Sequence, residues 1–163
     1  MSDPTSLPSF PPPADSHPLR GRVLDALIDA GGQPDLDSDG DIVVTVNDQT
    51  LFVRCVDGEL PMMRVFGQWR IGDGVPGDDL VRLRAASDLS TRLNLVKIGV
   101  HGDVLFVAVD LLVLADTPLQ TVLTSSFGAV LNAVRLWHTE AGGELPESPD
   151  DGSGRGGTSP SDD

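Results

Sequence analysis

Apolar residues recur along this chain at two spacings, and the change from one to the other marks out the elements. Leu19, Val23, Leu24, Leu27 and Ile28 fall at helical intervals. Ser16 or Pro18 starts this first helix and Gly31-Gly32 ends it. Residues 41–47, DIVVTVN, and 50–57, TLFVRCVD, are rich in β-branched residues, which predicts two strands joined by a hairpin turn at Asn47-Asp48-Gln49. A third strand is expected over 62–71, MMRVFGQWRI, after a turn at 58–61, and Gly67 inside it points to a bulge.

A loop over 72–77 leads into a second helix from about residue 78, whose apolar residues are Leu80, Val81, Leu83, Ala85, Ala86 and Leu89. Asp78 and Asp79 suit its start, where free N–H groups favour acids. It breaks or frays before Asn94. Two more strands, 95–101 and 104–110, meet at a tight turn at Gly102-Asp103. The last helix has the widest apolar face, from Leu119 through Val122, Leu123, Phe127, Val130, Leu131 and Val134 to Trp137. Thr117 is expected to cap it, with Pro118 at its first position and Gln120 completing a capping box. The predicted order is helix, three strands, helix, two strands, helix. That order makes an α+β fold, an antiparallel sheet with helices packed on one face.

Alternation sorts the strand residues between two faces. Ile42, Val44, Val46, Leu51, Val53, Cys55, Met63, Val65, Trp69, Val96, Ile98, Val100, Leu105, Val107 and Val109 form an apolar face for the helices. The opposite face mixes aromatics with arginines: Val43, Thr45, Phe52, Arg54, Val56, Met62, Arg64, Phe66, Gln68 and Arg70, joined by Lys97, His101, Phe106 and Asp110. Such a face is either a solvated sheet surface with tolerated apolar residues or a contact surface, because Phe, Met and Arg are enriched at interfaces.

Outside this middle region the pattern fades. Residues 1–18 contain six prolines, and 140–163 are Gly, Ser, Pro and acid, with seven acids against Arg155 alone. Neither stretch carries enough apolar surface to offset its ordering entropy, so both are expected to be disordered tails around one domain at 19–139. The full chain of 163 residues has a net charge of -14. That charge argues against a nucleic-acid partner or an anionic membrane surface, both of which are held by Lys and Arg. No apolar run reaches membrane-spanning length, and the first residues lack a basic start and an apolar core, so no secretory signal is expected. Cys55 is the single cysteine. It can close no internal disulfide and build no cysteine-rich zinc cage, and the expected setting is the cytoplasm.

The chemistry-bearing motifs are weak. Residues 35–41, DLDSDGD, begin like a calcium loop, but the twelfth position is Val46 where a bidentate Glu is needed, so an acidic turn is the better reading. His17, His101 and His138 have no Cys or His at metal-ligand spacing. Ser125, Ser126 and Cys55 show no nucleophile motif, and Cys55 falls on the core face. The loop at 72–77 is Gly-rich, but it lacks the Lys-Ser/Thr of a phosphate cradle and carries Asp73. No catalytic residue, metal or cofactor is therefore expected. Trp69 and Trp137 are expected core anchors.

The layout resembles the YbjN family, which is similar in fold to the class I type III secretion chaperones. The resemblance rests on the element order, the acidic Asp37-Ser38-Asp39-Gly40-Asp41 turn before a strand and the Gly67-Gln68-Trp69 near a strand end. The Asn-led hairpin at 94–110 and the long closing helix at 118–138 complete it. It covers about residues 19–139 and implies a bacterial, often dimeric, chaperone-like or regulatory protein without catalytic residues. Ten Arg against one Lys suit a GC-rich bacterial genome. The expected function is binding of a protein or peptide client through Phe52, Arg54, Met62, Arg64 and Phe66, or along a sheet edge. The alternatives are a homodimer that uses the same face and, third, a small-ligand domain or enzyme. The acidic tail is a further candidate to dock on the arginine-bearing face.

Overall fold

The computed structural model describes residues 17–142. Both stretches expected to be disordered fall almost wholly outside these residues, as does the candidate docking of the acidic tail. The elements run α1 (Pro18–Asp29), β1 (Asp35–Leu36), β2 (Ile42–Val46), β3 (Gln49–Val56), β4 (Met62–Arg70), α2 (Asp79–Arg92), β5 (Val96–His101), β6 (Val104–Leu112) and α3 (Leu119–Glu140). The predicted order holds, with one short strand added. The sheet is fully antiparallel, in the order β1-β2-β3-β4-β6-β5.

The added strand comes from the acidic turn. Asp37 Oδ1 accepts the backbone N–H groups of Asp39 and Asp41, and Gly40 takes a left-handed φ of 82°. The chain thereby doubles back, and Asp35 pairs with Val43. Asp37 serves its own backbone as an Asx turn does. The β2–β3 turn needs only Asn47 and Asp48, both at positive φ (49° and 60°), while Val46 pairs with Gln49. A two-residue turn with two left-handed residues matches the twist of the strands it joins, and Asn and Asp tolerate that conformation.

The Gly67 bulge does not form. Register runs unbroken from Met62 opposite Leu112 to Arg70 opposite Val104, with Gly67 opposite Val107. The glycine makes room for a side chain instead. A Cβ on Gly67 would stand 2.4 Å from the Trp69 ring, which lies across it and donates its Nε1–H to Gln49 Oε1. The capping box at α3 is also absent. Pro118 occupies the cap position with no side-chain bond, and Thr117 Oγ1 turns back to accept the Leu114 N–H. The hydroxyl closes the turn out of β6 rather than the helix start.

All three helices contribute to one core on one side of the sheet. Val23, Leu51, Val65, Leu105, Val130 and Trp137 are each fully buried. Each large side chain sealed in this way contributes about 1.5–3 kcal/mol. Trp69 is only partly buried at the core margin. The reading of α2 needs a correction, because Leu80, Val81 and Leu83 are exposed. The face turned inward carries Arg82, Ala85, Ala86 and Leu89. Arg82 is buried because its hydrogen bonds are met: Nε and Nη2 donate to the Pro76 and Val75 carbonyls, and Nη1 reaches Asp103. The Arg82 carbonyl in turn accepts the Trp137 indole N–H. This cation staples the Gly-rich loop and the β5–β6 turn to the core, as buried charges must be paired to be tolerated.

Candidate functional site

Among the described residues no helix covers the second face of the sheet, and strand register arranges its residues in rows. One row is Phe52 opposite Phe66, with Phe106 reached from β6. The Phe52 and Phe66 rings stack at 5.3 Å and 22°, and the Phe66 and Phe106 rings lie tilted to each other at 5.9 Å and 37°. Ring pairs at these separations add about 0.5–1.5 kcal/mol each beyond area burial. The stack has a consequence for exposure. Phe66, in its middle, is 8% exposed although no helix among the described residues lies over it. Its neighbours cover it, including the Arg54 guanidinium, 5.5 Å from the ring centroid.

The next row sets two like charges side by side, Arg54 opposite Arg64. Direct opposition of like charges is unfavourable unless each is neutralised. Each arginine turns outward to its own acid. Arg54 grips Asp41 through Nε–Oδ1 (2.9 Å) and Nη2–Oδ2 (2.6 Å). Arg64 grips Asp110, its register partner on β6, through Nε–Oδ1 (2.6 Å) and Nη2–Oδ2 (2.9 Å), and Lys97 adds a bond to Asp110. These forked pairs are the strong form of charge-assisted hydrogen bond. The bonds from Arg64, and then from Lys97, hold the Asp110 carboxyl down at about 2 against the opposing effect of burial. The bond to Asp41 raises the pKa of Arg54, and the bond to Asp110 that of Arg64, above the ordinary arginine value. The Arg54 and Arg64 side chains remain 46% and 41% exposed.

The third row is Val56, Met62 and Leu112, aligned across β3, β4 and β6. All three are exposed. The structure thus brings Phe52, Arg54, Met62, Arg64 and Phe66 onto two adjacent strands. Sequence reasoning missed Leu112, because it ended the last strand at residue 110. Continuing the alternation from Phe106 through Asp110 by one more step would have found it. Asp41 was also missed as a partner of Arg54, although alternation back from Thr45 and Val43 puts it on the same open face.

The remaining candidates have structural roles or none. Burial drives the Cys55 thiol up to about 12, with Asp57 adding to the effect, so it is no nucleophile at neutral pH. Ser126 Oγ is buried and donates to the Val122 carbonyl. His138 is buried as well, with Nδ1 donating to the Val134 carbonyl and its ring edge-on to Trp137. A depression of about 420 Å³ beside the Gly-rich loop is lined by Arg70, Asp73, Arg82 and Asp103 among others. The Arg82 donors there are already committed to carbonyls and Asp103. Among the described residues no group of three or more His, Cys, Asp and Glu is placed to hold a metal, and no helix is long and apolar enough to cross a membrane.

The fold has a known counterpart. The crystal structure of YbjN from E. coli, described as a candidate transcription regulator, superposes with a TM-score of 0.56 over 77% of this chain and 95% of that one, at 14% identity. At that identity the likeness speaks for the fold alone. No curated protein matches the chain. A family model does, over residues 17–138, nearly all of the folded region: TY-Chap1, "T3SS (YopN, CesT) and YbjN peptide-binding chaperone 1". On that match the chain belongs to the family of type III secretion and YbjN peptide-binding chaperones.

Proposed function

We infer that this protein is a non-catalytic, cytoplasmic chaperone-like or adaptor protein that binds an extended segment of a client protein across its open sheet face. The observation that carries the reading is the three-ring cluster flanked by Arg54 and Arg64 on a face that no helix covers among the described residues. Phe52, Phe106 and Met62 offer apolar area, and Phe66 lies between the two outer rings. Each guanidinium is fixed through Nε and Nη2, while its Nη1 makes no hydrogen bond among the described residues. A group already held in place and still carrying a donor loses little side-chain entropy when a client carboxylate or carbonyl arrives.

The face is favoured over the edge as the docking place. The outer strand β5 turns the Ile98 N–H away from β6, and Ser90 Oγ of α2 accepts it. An added strand would have to displace that bond. At the other edge β1 has only two residues. The cytoplasmic setting is supported by Cys55, a half-buried free thiol.

The test compares native chain with Phe52→Asp and Met62→Asp in capture from host lysate, followed by titration of the captured client's segment. Phe66 stays in place, because a carboxylate at that covered position would act on the fold. One or two proteins held by the native chain and lost by both variants support the reading. Equal capture by all three overturns the face assignment. Self-association through this face is the competing reading, favoured by the exposed row Val56–Met62–Leu112. Light scattering that shows a native dimer and a folded Met62→Asp monomer would select it.

A further inference from the structure

The charges on the open face are unevenly exposed. The acids are covered: the Asp41 and Asp110 side chains are 6% and 12% exposed. The cations bound to them stay open to solvent, with Lys97, at 65%, the most exposed. A partner lying on this face therefore meets guanidinium and ammonium groups rather than carboxylates.

The positive charge is also unevenly balanced. Arg54 has Asp41 to itself, and Asp37 and Asp39 of the acidic turn act on it as well. Arg64 and Lys97 share Asp110, whose Oδ1 accepts from Arg64 Nε and whose Oδ2 accepts from Arg64 Nη2 and Lys97 Nζ. Two cations on one carboxylate leave one positive charge over at this point of the sheet. Arg64 Nη1 and the remaining ammonium N–H groups of Lys97 make no hydrogen bond among the described residues. A carbonyl could take such a donor, but a carboxylate takes the donor and balances the charge.

Register fixes what lies on either side of this charge. Along β4 the open-face order is Met62, Arg64, Phe66, and β6 sets Leu112, Asp110 and Ala108 opposite them. The Arg64 row is thus bordered by the exposed Met62–Leu112 pair on one side and by the ring cluster on the other. Each border is two residues away along the strand, about 6.6–6.8 Å. An extended segment lying along β4 and β6 advances by the same distance every two residues. Its sheet-facing side chains, at i, i+2 and i+4, therefore fall on successive rows. Position i meets Met62 and Leu112, i+2 meets Arg64 and Lys97, and i+4 meets Phe66 between the Phe52 and Phe106 rings. The matching pattern is apolar, x, acid, x, apolar, and its symmetry suits either chain direction.

We propose that the client segment carries an Asp or Glu two residues from a large apolar side chain on each side, and that Arg64 and Lys97 bind the acid, an inference that rests on the open face being the client site. It narrows the client from any extended segment to an acidic strand with apolar flanks.

The test selects random short peptides displayed on phage, on the full chain and in parallel on Met62→Asp, whose fold is checked by circular dichroism. Peptides held by the native chain and lost on Met62→Asp are expected, with an acid at the central position several times more often than in the starting library. One such peptide is then synthesised with its acid and with the matching amide. Fluorescence anisotropy is expected to show about fivefold weaker binding for the amide, the size of a partly exposed ion pair. In Lys97→Gln, which leaves the Arg64–Asp110 pair in place, the ratio between the two peptides is expected to shrink. Acid and amide peptides that bind alike, a ratio unchanged in Lys97→Gln, or face-bound peptides without an acid preference would overturn the acid assignment and leave the face reading standing. Peptides held equally by Met62→Asp, or no enriched peptide at all, would overturn both.

Discussion

Replacing Asp110 by Asn tests whether the charge on the open face contributes to stability. Asp110 is the shared acceptor of Arg64 and Lys97, and its side chain is 12% exposed. Its carboxyl falls from 3.8 to about 2 on folding, chiefly through the Arg64 hydrogen bond. At full strength that depression corresponds to about 2.5 kcal/mol. The partners, Arg64 and Lys97, are 41% and 65% exposed, so solvent screens the interaction. The expected loss for Asp110→Asn at pH 7 is therefore about 1–2 kcal/mol. A carboxyl depressed on folding stabilises above its unfolded pKa, and the contribution fades as pH falls through the folded value. The window here runs from about 4 down to about 2. Asparagine lacks this contribution at every pH. Urea unfolding of both proteins between pH 7 and pH 2 should show two curves about 1–2 kcal/mol apart that converge below pH 4. A separation that stays constant across the range would mean that packing, not charge, was lost. No separation at pH 7 would mean that the ion pair contributes nothing.

Three further outcomes follow from single positions. Gly67→Ala forces a Cβ against the Trp69 ring and should cost about 1–3 kcal/mol. Combining it with Trp69→Val should recover part of that loss in the same urea assay. Cys55, with its thiol driven up to about 12, should resist thiol reagents at pH 8 when folded and react fully in urea. Rapid labelling of the native state would refute the burial assigned to it. Leu95 holds a left-handed φ of 64° with its side chain 65% exposed. Leu95→Asn should therefore gain about 0.5–1 kcal/mol, because Asn tolerates that conformation. A loss would show that Leu95 has a packing role.

The sheet and its two faces were legible in the sequence because alternation over β2, β3, β4 and β6 is local and nearly unbroken. Phe52, Arg54, Met62, Arg64 and Phe66 were grouped correctly on one face for that reason. What stayed hidden was set by distant partners. The same Gly67 that suggests a bulge in isolation is a cavity for a ring two residues on. Thr117 had a helix start and a strand exit competing for one hydroxyl, and only the fold decides between them. Arg82 looks like a surface residue among exposed leucines. Its burial depends on carbonyls of the preceding loop and on an indole from a helix 55 positions later. The acids that hold the open-face arginines, Asp41 and Asp110, come from a strand start and a strand across the sheet, and among the described residues one nitrogen on each arginine makes no hydrogen bond.

The strand order has a consequence for the chain as it emerges from the ribosome. β4 pairs with β6, not with β5, so one whole edge of β4 waits until Leu112 has been made. Roughly forty residues separate Arg70 from that point, which at about 5–20 residues per second is several seconds of synthesis. During that interval Met63, Val65 and Phe66 lie along an unpaired border. The first segment to need shielding from wrong partners is thus the protein's own central strand. Of the helices, α1 and α2 are made before the closing hairpin arrives, while α3, which packs on β4, follows it.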